Sequence, residues 1–140
     1  MKLSLFPYKL LYKYPFKIAH TERDGTDALF LKLEHEGLIA WGEAVYPPYY
    51  SENVLEAVTF LSSVSLPKEL LGLDVLDYIE QLKSDYPIHI FSISGLEMVL
   101  NQMKCMHLST SLNELYGLPD ADKATSFTIG ISSPDLINKF

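Results

Sequence analysis

Arg23 is the only arginine among 140 residues. It stands in Arg23-Asp24-Gly25, a tripeptide with turn chemistry. A planar guanidinium at such a place can grip a carboxylate through two hydrogen bonds. His20 and Thr21 lie in the same segment and can shape a pocket around that ligand. Tyr46, Tyr49 and Tyr50 crowd a second segment, residues 45–50, together with Pro47 and Pro48. Three phenols there can wall a pocket. Each feature has a plainer reading beside it: a solvated arginine, ordinary surface polarity, and a Tyr-Pro loop packed on its own domain.

Other reactive residue types are present without a reactive pattern. His35, His89 and His107 are scattered and lack metal-ligand spacing. No trio of carboxylates stands at ligand spacing, and Glu34 and Glu36 read as solvated hairpin residues. Cys105 sits beside the apolar stripe of a helix and reads as core rather than nucleophile. There is no glycine-rich phosphate loop and no nucleophile elbow.

Composition narrows the classes further. Hydrophobic residues make up 48% and aromatics 12%, enough to build a core and too much for a disordered chain. The net charge of -7 lacks the basic face that binds nucleic acid or an anionic membrane. One cysteine excludes an internal disulfide and suits a reducing compartment. The start of the chain is apolar but broken by Pro7, Lys9 and Lys13, so no signal peptide is expected. No apolar run approaches the roughly 20 residues of a membrane span. The expectation is a soluble cytoplasmic protein.

The elements that must position these residues can be read from periodicity. Residues 2–14 read as a strand with Pro7 at an edge or bulge, and residues 15–27 as a loop. Leu29, Leu31 and Leu33 alternate with Phe30, Lys32 and Glu34, which is the period of a strand with one apolar face. Glu36-Gly37 turns the chain, and residues 38–44 return as a third strand. Ser51 is the expected N-cap of a first helix carrying Val54, Leu55, Val58 and Leu61. A second helix is expected over 74–84. Ser94 and Glu97 read as a capping box opening a third. A short helix over 111–116 is closed by Gly117. Residues 120–124 read as a linker, 126–131 as a strand, and Ser133-Pro134 as a helix start. About seven residues cannot make that last helix stable alone, so the pattern stops inside an element.

Several stretches, in order along the chain, resemble the enolase superfamily. Pro15-Phe16-Lys17-Ile18-Ala19 is similar to the start of that family's first mobile loop. Trp41-Gly42-Glu43-Ala44 resembles the end of its third strand, and Tyr46-Pro47-Pro48-Tyr49 its second active-site loop. Gly95-Leu96-Glu97-Met98-Val99-Leu100 resembles a helix of the family, and Leu115-Tyr116-Gly117 the turn that closes its capping domain. The stretch from Thr125 to Ile131, with Ser133-Pro134-Asp135, is similar to the first barrel strand and helix of the dipeptide epimerases. One departure is Gln102, where family members often carry Asp.

The resemblance implies an α+β fold: a three-stranded antiparallel sheet plus helices over residues 1–119. It is followed over 120–140 by a linker and the beginning of a truncated TIM barrel, whose full form takes about 250 residues. The implied chemistry removes a proton next to a carboxylate with a Lys pair and a divalent cation, Mg²⁺ or another, in the complete protein. No catalytic residue and no metal ligand of that set is expected in this chain, and no metal bound by it. By resemblance Arg23 contacts the acidic side chain of a dipeptide, such as L-Ala-D/L-Glu, and Thr128 lines the pocket from the barrel strand. An ordinary strand-forming threonine is the plainer reading of Thr128. Alternatives are a muconate cycloisomerase or o-succinylbenzoate synthase, or a binding or assembly module without a barrel. The expected partners are a small carboxylate substrate and a second copy of the chain, joined through the open end.

Overall fold

The structure, a computed structural model, describes residues 1–70, 72, 74–119 and 124. The readings that fall on 120–123 and 125–140, including Thr128 and the barrel strand, lie outside the described residues. Among the described residues the chain forms three strands, β1 (Lys2–Ile18), β2 (Thr21–His35) and β3 (Leu38–Tyr46). Four helices follow, α1 (Val54–Ser63), α2 (Val75–Asp85), α3 (Ile90–Leu108) and α4 (Leu112–Leu115). The sheet is antiparallel throughout, in the order β1-β2-β3. Its period-two pattern works as expected. Leu29, Leu31 and Leu33 are fully buried and face the helices, while Phe6, Tyr8 and Trp41 stay exposed. The helices complete the core with Ala57, Phe60 and Leu61 of α1, Ile79 of α2, and Ile93, Leu96, Val99, Leu100 and Met103 of α3.

The segment read as a loop over 15–27 is instead part of a long hairpin. β1 continues to Ile18 and β2 begins at Thr21. The ladder breaks once: Leu11 pairs with Gly25, and pairing resumes at Phe16 with Arg23. Residues 12–15 therefore stand opposite Asp24 alone. Pro15 has no N–H to give a ladder, so its signal, with Arg23-Asp24-Gly25, marks a bulge within the hairpin. β3 also runs two residues beyond the expected end, to Tyr46. The second turn matches its reading: Glu36 and Gly37 have φ of 48° and 81°, the paired positive values of a tight hairpin turn.

Helix starts differ where the cap is set by geometry. The N-cap of α1 is Asn53, two residues after the expected Ser51. Its side chain accepts from the N–H groups of Leu55 and Glu56 at 3.0 and 3.1 Å. Asp74 caps α2 rather than opening it. α3 begins at Ile90, so Ser94 and Glu97 lie inside the helix and form no capping box. The capping box exists one helix later, where Ser111 and Glu114 cap each other's backbone at α4. Gly117, with φ of 62°, closes the chain behind α4.

α3 lies directly against β3. A Cβ on Gly42 would strike the carbonyl oxygen of Gly95, and one on Gly95 would come within 3.1 Å of the Ala44 Cβ. Both glycines let the helix and strand backbones approach. Gln102, the departure noted in the sequence, accepts a hydrogen bond from the Trp41 N–H of β3, an edge strand among the described residues. No described helix is long and apolar enough to cross a membrane.

Candidate functional site

The break in the hairpin sets Arg23 at the base of its two-stranded end, and β3 delivers the Tyr-Pro segment beside it. Asp27 of β2 pairs with Tyr46, the last residue of β3. The chain then leaves the sheet through Pro47-Pro48, and Tyr50 N–H bonds back to the Pro47 carbonyl at 3.1 Å. The two segments thereby face each other across a cleft of about 500 Å³. Its walls include Lys9, Arg23, Asp27, Tyr46, Tyr50 and Glu52. The guanidinium carbon of Arg23 lies 5.3 Å from the centre of the Tyr49 ring, within reach of a cation–π attraction. Tyr49 in turn contacts Tyr50 at 5.0 Å between ring centres. Half-buried Arg23 stands at a cleft that Lys9, Asp24, Asp27 and Glu52 also line. Such a lining suits a small zwitterion with charges of both signs.

The structure thus gathers four of the residues singled out in the sequence: Arg23, Tyr46, Tyr49 and Tyr50. His20 and Thr21 do not join them. They occupy the hairpin tip, exposed, with Thr21 opposite Ile18. Tyr46 forms the floor of the cleft rather than a wall, with only 4% of its surface exposed. Beneath it is a buried polar group that the sequence did not reveal. Ser92 donates its hydroxyl proton to Glu52, so the Tyr46 hydroxyl donates to Ser92 Oγ at 3.1 Å. Glu52 is itself only 4% exposed. Its signal in the sequence was hidden, because Ser51-Glu52-Asn53 reads as an ordinary polar helix start.

Burial pushes the Tyr46 phenol up to about 12, and the Glu52 charge adds to the rise. The sign of the consequence is definite. Unfolded tyrosine ionises near 10 and folded Tyr46 later, so the folded state holds the extra proton between pH 10 and about 12. Stability conferred by the neutral phenol is complete below pH 10 and falls as pH rises through that window. The loss is about 1.4 kcal/mol for each unit of difference. Tyr46→Phe should therefore show a shallower decline of stability above pH 10 than the natural chain in urea titrations. Parallel declines would mean that Tyr46 ionises normally.

Elsewhere, the fold brings His35 and His107 together, with ring centres 6.4 Å apart. Glu36 lies between them, 3.9 Å from His35 Nε2 and 3.6 Å from His107 Nδ1. Sequence separation concealed this cluster. Among the described residues, no group of three or more His, Cys, Asp or Glu side chains can hold a metal ion. The metal implied by the resemblance therefore has no fitting donor set in this part of the chain. Cys105 is half-buried rather than sealed in the core, and borders a groove between α3 and α4.

No family model matches the sequence. The chain is 31% identical over 143 residues to the L-Ala-D/L-Glu epimerase of Bacteroides thetaiotaomicron, covering 98% of this chain and 36% of that protein. It is 27% identical to the L-Ala-D/L-amino acid epimerase of Flavobacterium johnsoniae, covering 96% of this chain and 41% of the relative. It thus spans little more than a third of the length of these relatives. Its fold matches the dipeptide epimerase of Methylococcus capsulatus, solved with Mg and L-Arg-D-Lys, at a TM-score of 0.76 and 20% identity. That match covers 99% of this chain and 40% of the other. The N-succinyl Arg/Lys racemase of Bacillus cereus matches at a TM-score of 0.79 and 14% identity, over 98% of this chain and 41% of the other. Its three-stranded sheet and the helices packed on it share their fold with part of these solved enzymes, and its sequence similarity lies with the L-Ala-D/L-Glu and L-Ala-D/L-amino acid epimerases.

Proposed function

We propose that this chain is the substrate-selecting part of a dipeptide epimerase. The complete protein inverts the α-carbon of the second residue of a dipeptide by removing its proton and returning one from the opposite face. A Lys pair and a divalent cation such as Mg²⁺, both supplied beyond the described residues, perform that chemistry. The cation stabilises the enediolate when bound. The described residues bind and orient: Arg23 meets an acidic side chain, and Tyr49 and Tyr50 enclose it. The observation that carries this reading is the stacking of the sole arginine over Tyr49 at the cleft that Tyr46 and Tyr50 line. The 31% identity to an L-Ala-D/L-Glu epimerase supports the same substrate class.

The setting we propose is cytoplasmic, in keeping with a single free cysteine. We also propose a homo-oligomer, supported by the exposed aromatic face of the sheet at Phe6, Tyr8 and Trp41.

The test is proton exchange in deuterated water. The complete protein with Mg²⁺ and L-Ala-L-Glu should replace the glutamate α-proton with deuterium and produce the D-epimer. The 140-residue chain under the same conditions should leave the proton in place. Retention of the proton by folded, metal-loaded complete protein would sink the reading, as would exchange by the short chain.

A further inference from the structure

We propose that Glu52 is a positioning residue that ties the N-terminus of α3 to Arg23 through three aromatic rings in successive contact. α3 begins without a side-chain cap of its own: its N-cap residue is His89, which makes no capping bond. The missing cap comes from Glu52, 39 residues away in sequence from Phe91. One carboxylate oxygen accepts the Phe91 N–H at 2.9 Å, and the other accepts the Ser92 N–H at 3.1 Å and the Ser92 hydroxyl. A buried carboxylate is costly without partners. Here the first-turn N–H groups and the positive end of the helix dipole supply them. His89 adds a contact, its Nδ1 3.6 Å from Glu52, while its ring lies flat on Phe60 at 4.1 Å.

The capping bond also fixes a side chain. Phe91, whose N–H Glu52 holds, meets the Tyr50 ring in a T-shaped contact, with ring centres 4.9 Å apart and planes at 68°. Tyr50 is only two residues before Glu52. The backbone from Tyr50 to Glu52, the hydrogen bond to Phe91 and the ring contact back to Tyr50 therefore form a closed circuit. Tyr50 then supports Tyr49, and Tyr49 carries the guanidinium of Arg23. Removing the carboxylate opens the circuit at a single point. With Tyr50 free to leave Phe91, Arg23 loses the surface that holds it at the cleft.

Its functional meaning rests on the reading of this cleft as the substrate site, but the coupling can be measured without substrate. Arg23, as the sole arginine, gives a single Nε–H signal in a ¹H–¹⁵N spectrum of the chain. The Tyr49 ring current displaces that signal, and Tyr49→Ala supplies its unstacked position. Glu52→Gln keeps the size of the side chain but turns an NH₂ group toward a backbone N–H. It should move the Arg23 signal most of the way to its position in Tyr49→Ala. Ser92→Ala, which removes one bond and leaves the carboxylate, should move it part of the way. If the Phe91 and Ser92 amides shift while the Arg23 signal stays in place, Glu52 is a helix cap only and the proposal fails. Should Glu52→Gln not fold, Ser92→Ala decides alone, and an unmoved Arg23 signal overturns the proposal. Loss of the epimerase reading would leave this spectrum unchanged, so the two ideas fail separately.

Discussion

Gly42→Ala should destabilise the chain by about 3 kcal/mol, at the upper end of what overpacking costs. The added methyl would strike the Gly95 carbonyl oxygen and would come within 3.1 Å of the Val99 Cβ and 3.2 Å of its N. Two of these three are backbone atoms of α3, so no side-chain rotation relieves the clash. The strand and helix must separate. The facing core is densely filled by Leu31, Leu96, Val99 and Leu100, all fully buried, and separation loosens every one of those contacts. Gly37→Ala is the control. Nothing lies within 4 Å of a Cβ there, but φ is 81°, so the cost should be the backbone strain of about 1–2 kcal/mol. Urea unfolding followed by circular dichroism measures both, as a lower midpoint at unchanged slope. Equal losses at the two glycines would mean that α3 does not approach β3 as closely as described.

Arg23→Met in the complete protein should lower kcat/KM for L-Ala-L-Glu and largely spare L-Ala-L-Ala. On the proposed function the lost contact is a hydrogen-bonded ion pair worth about 1.5–3 kcal/mol, or roughly tenfold to a hundredfold in rate. The alanine side chain offers no carboxylate, so its substrate loses only any indirect effect of the missing stack on Tyr49. Arg23→Lys should fall between, because an ammonium keeps the charge without the planar fork. Equal losses for both dipeptides would assign Arg23 to holding the cleft together rather than to choosing its ligand.

How legible these features are in the sequence depends on the distance over which each cause acts. The sheet was readable because Leu29, Leu31 and Leu33 bury themselves by local alternation, and Glu36-Gly37 turns the chain by local backbone preference. Arg23 stood out because it has no second copy. The hairpin misled for the opposite reason: Pro15 and Arg23-Asp24-Gly25 have loop chemistry, but pairing across the bulge keeps both arms extended. The start of α3 was misplaced because its cap, Glu52, comes from a different part of the chain. Ile90, Phe91 and Ser92 give no local sign that a remote carboxylate will satisfy them. The same separation hid the cluster of His35, Glu36 and His107. For α3 and for the histidine cluster the missing information was a contact between distant segments, which no window of sequence contains.

The hairpin has a thermodynamic consequence of its own. β1 and β2 extend beyond Asp27, where β3 ends its pairing, so among the described residues Arg23 sits on a ribbon of two strands. Two-stranded ribbons are marginal in water. This segment should open far below the free energy of global unfolding, and its amide hydrogens should exchange with solvent ahead of those in the three-stranded region. A ligand that engages Arg23 must then hold the ribbon closed with part of its own binding free energy. Affinity and residence time at the cleft become properties of the ribbon as well as of the contacts. A substitution at the hairpin tip, remote from the ligand, would alter both without touching a single lining residue.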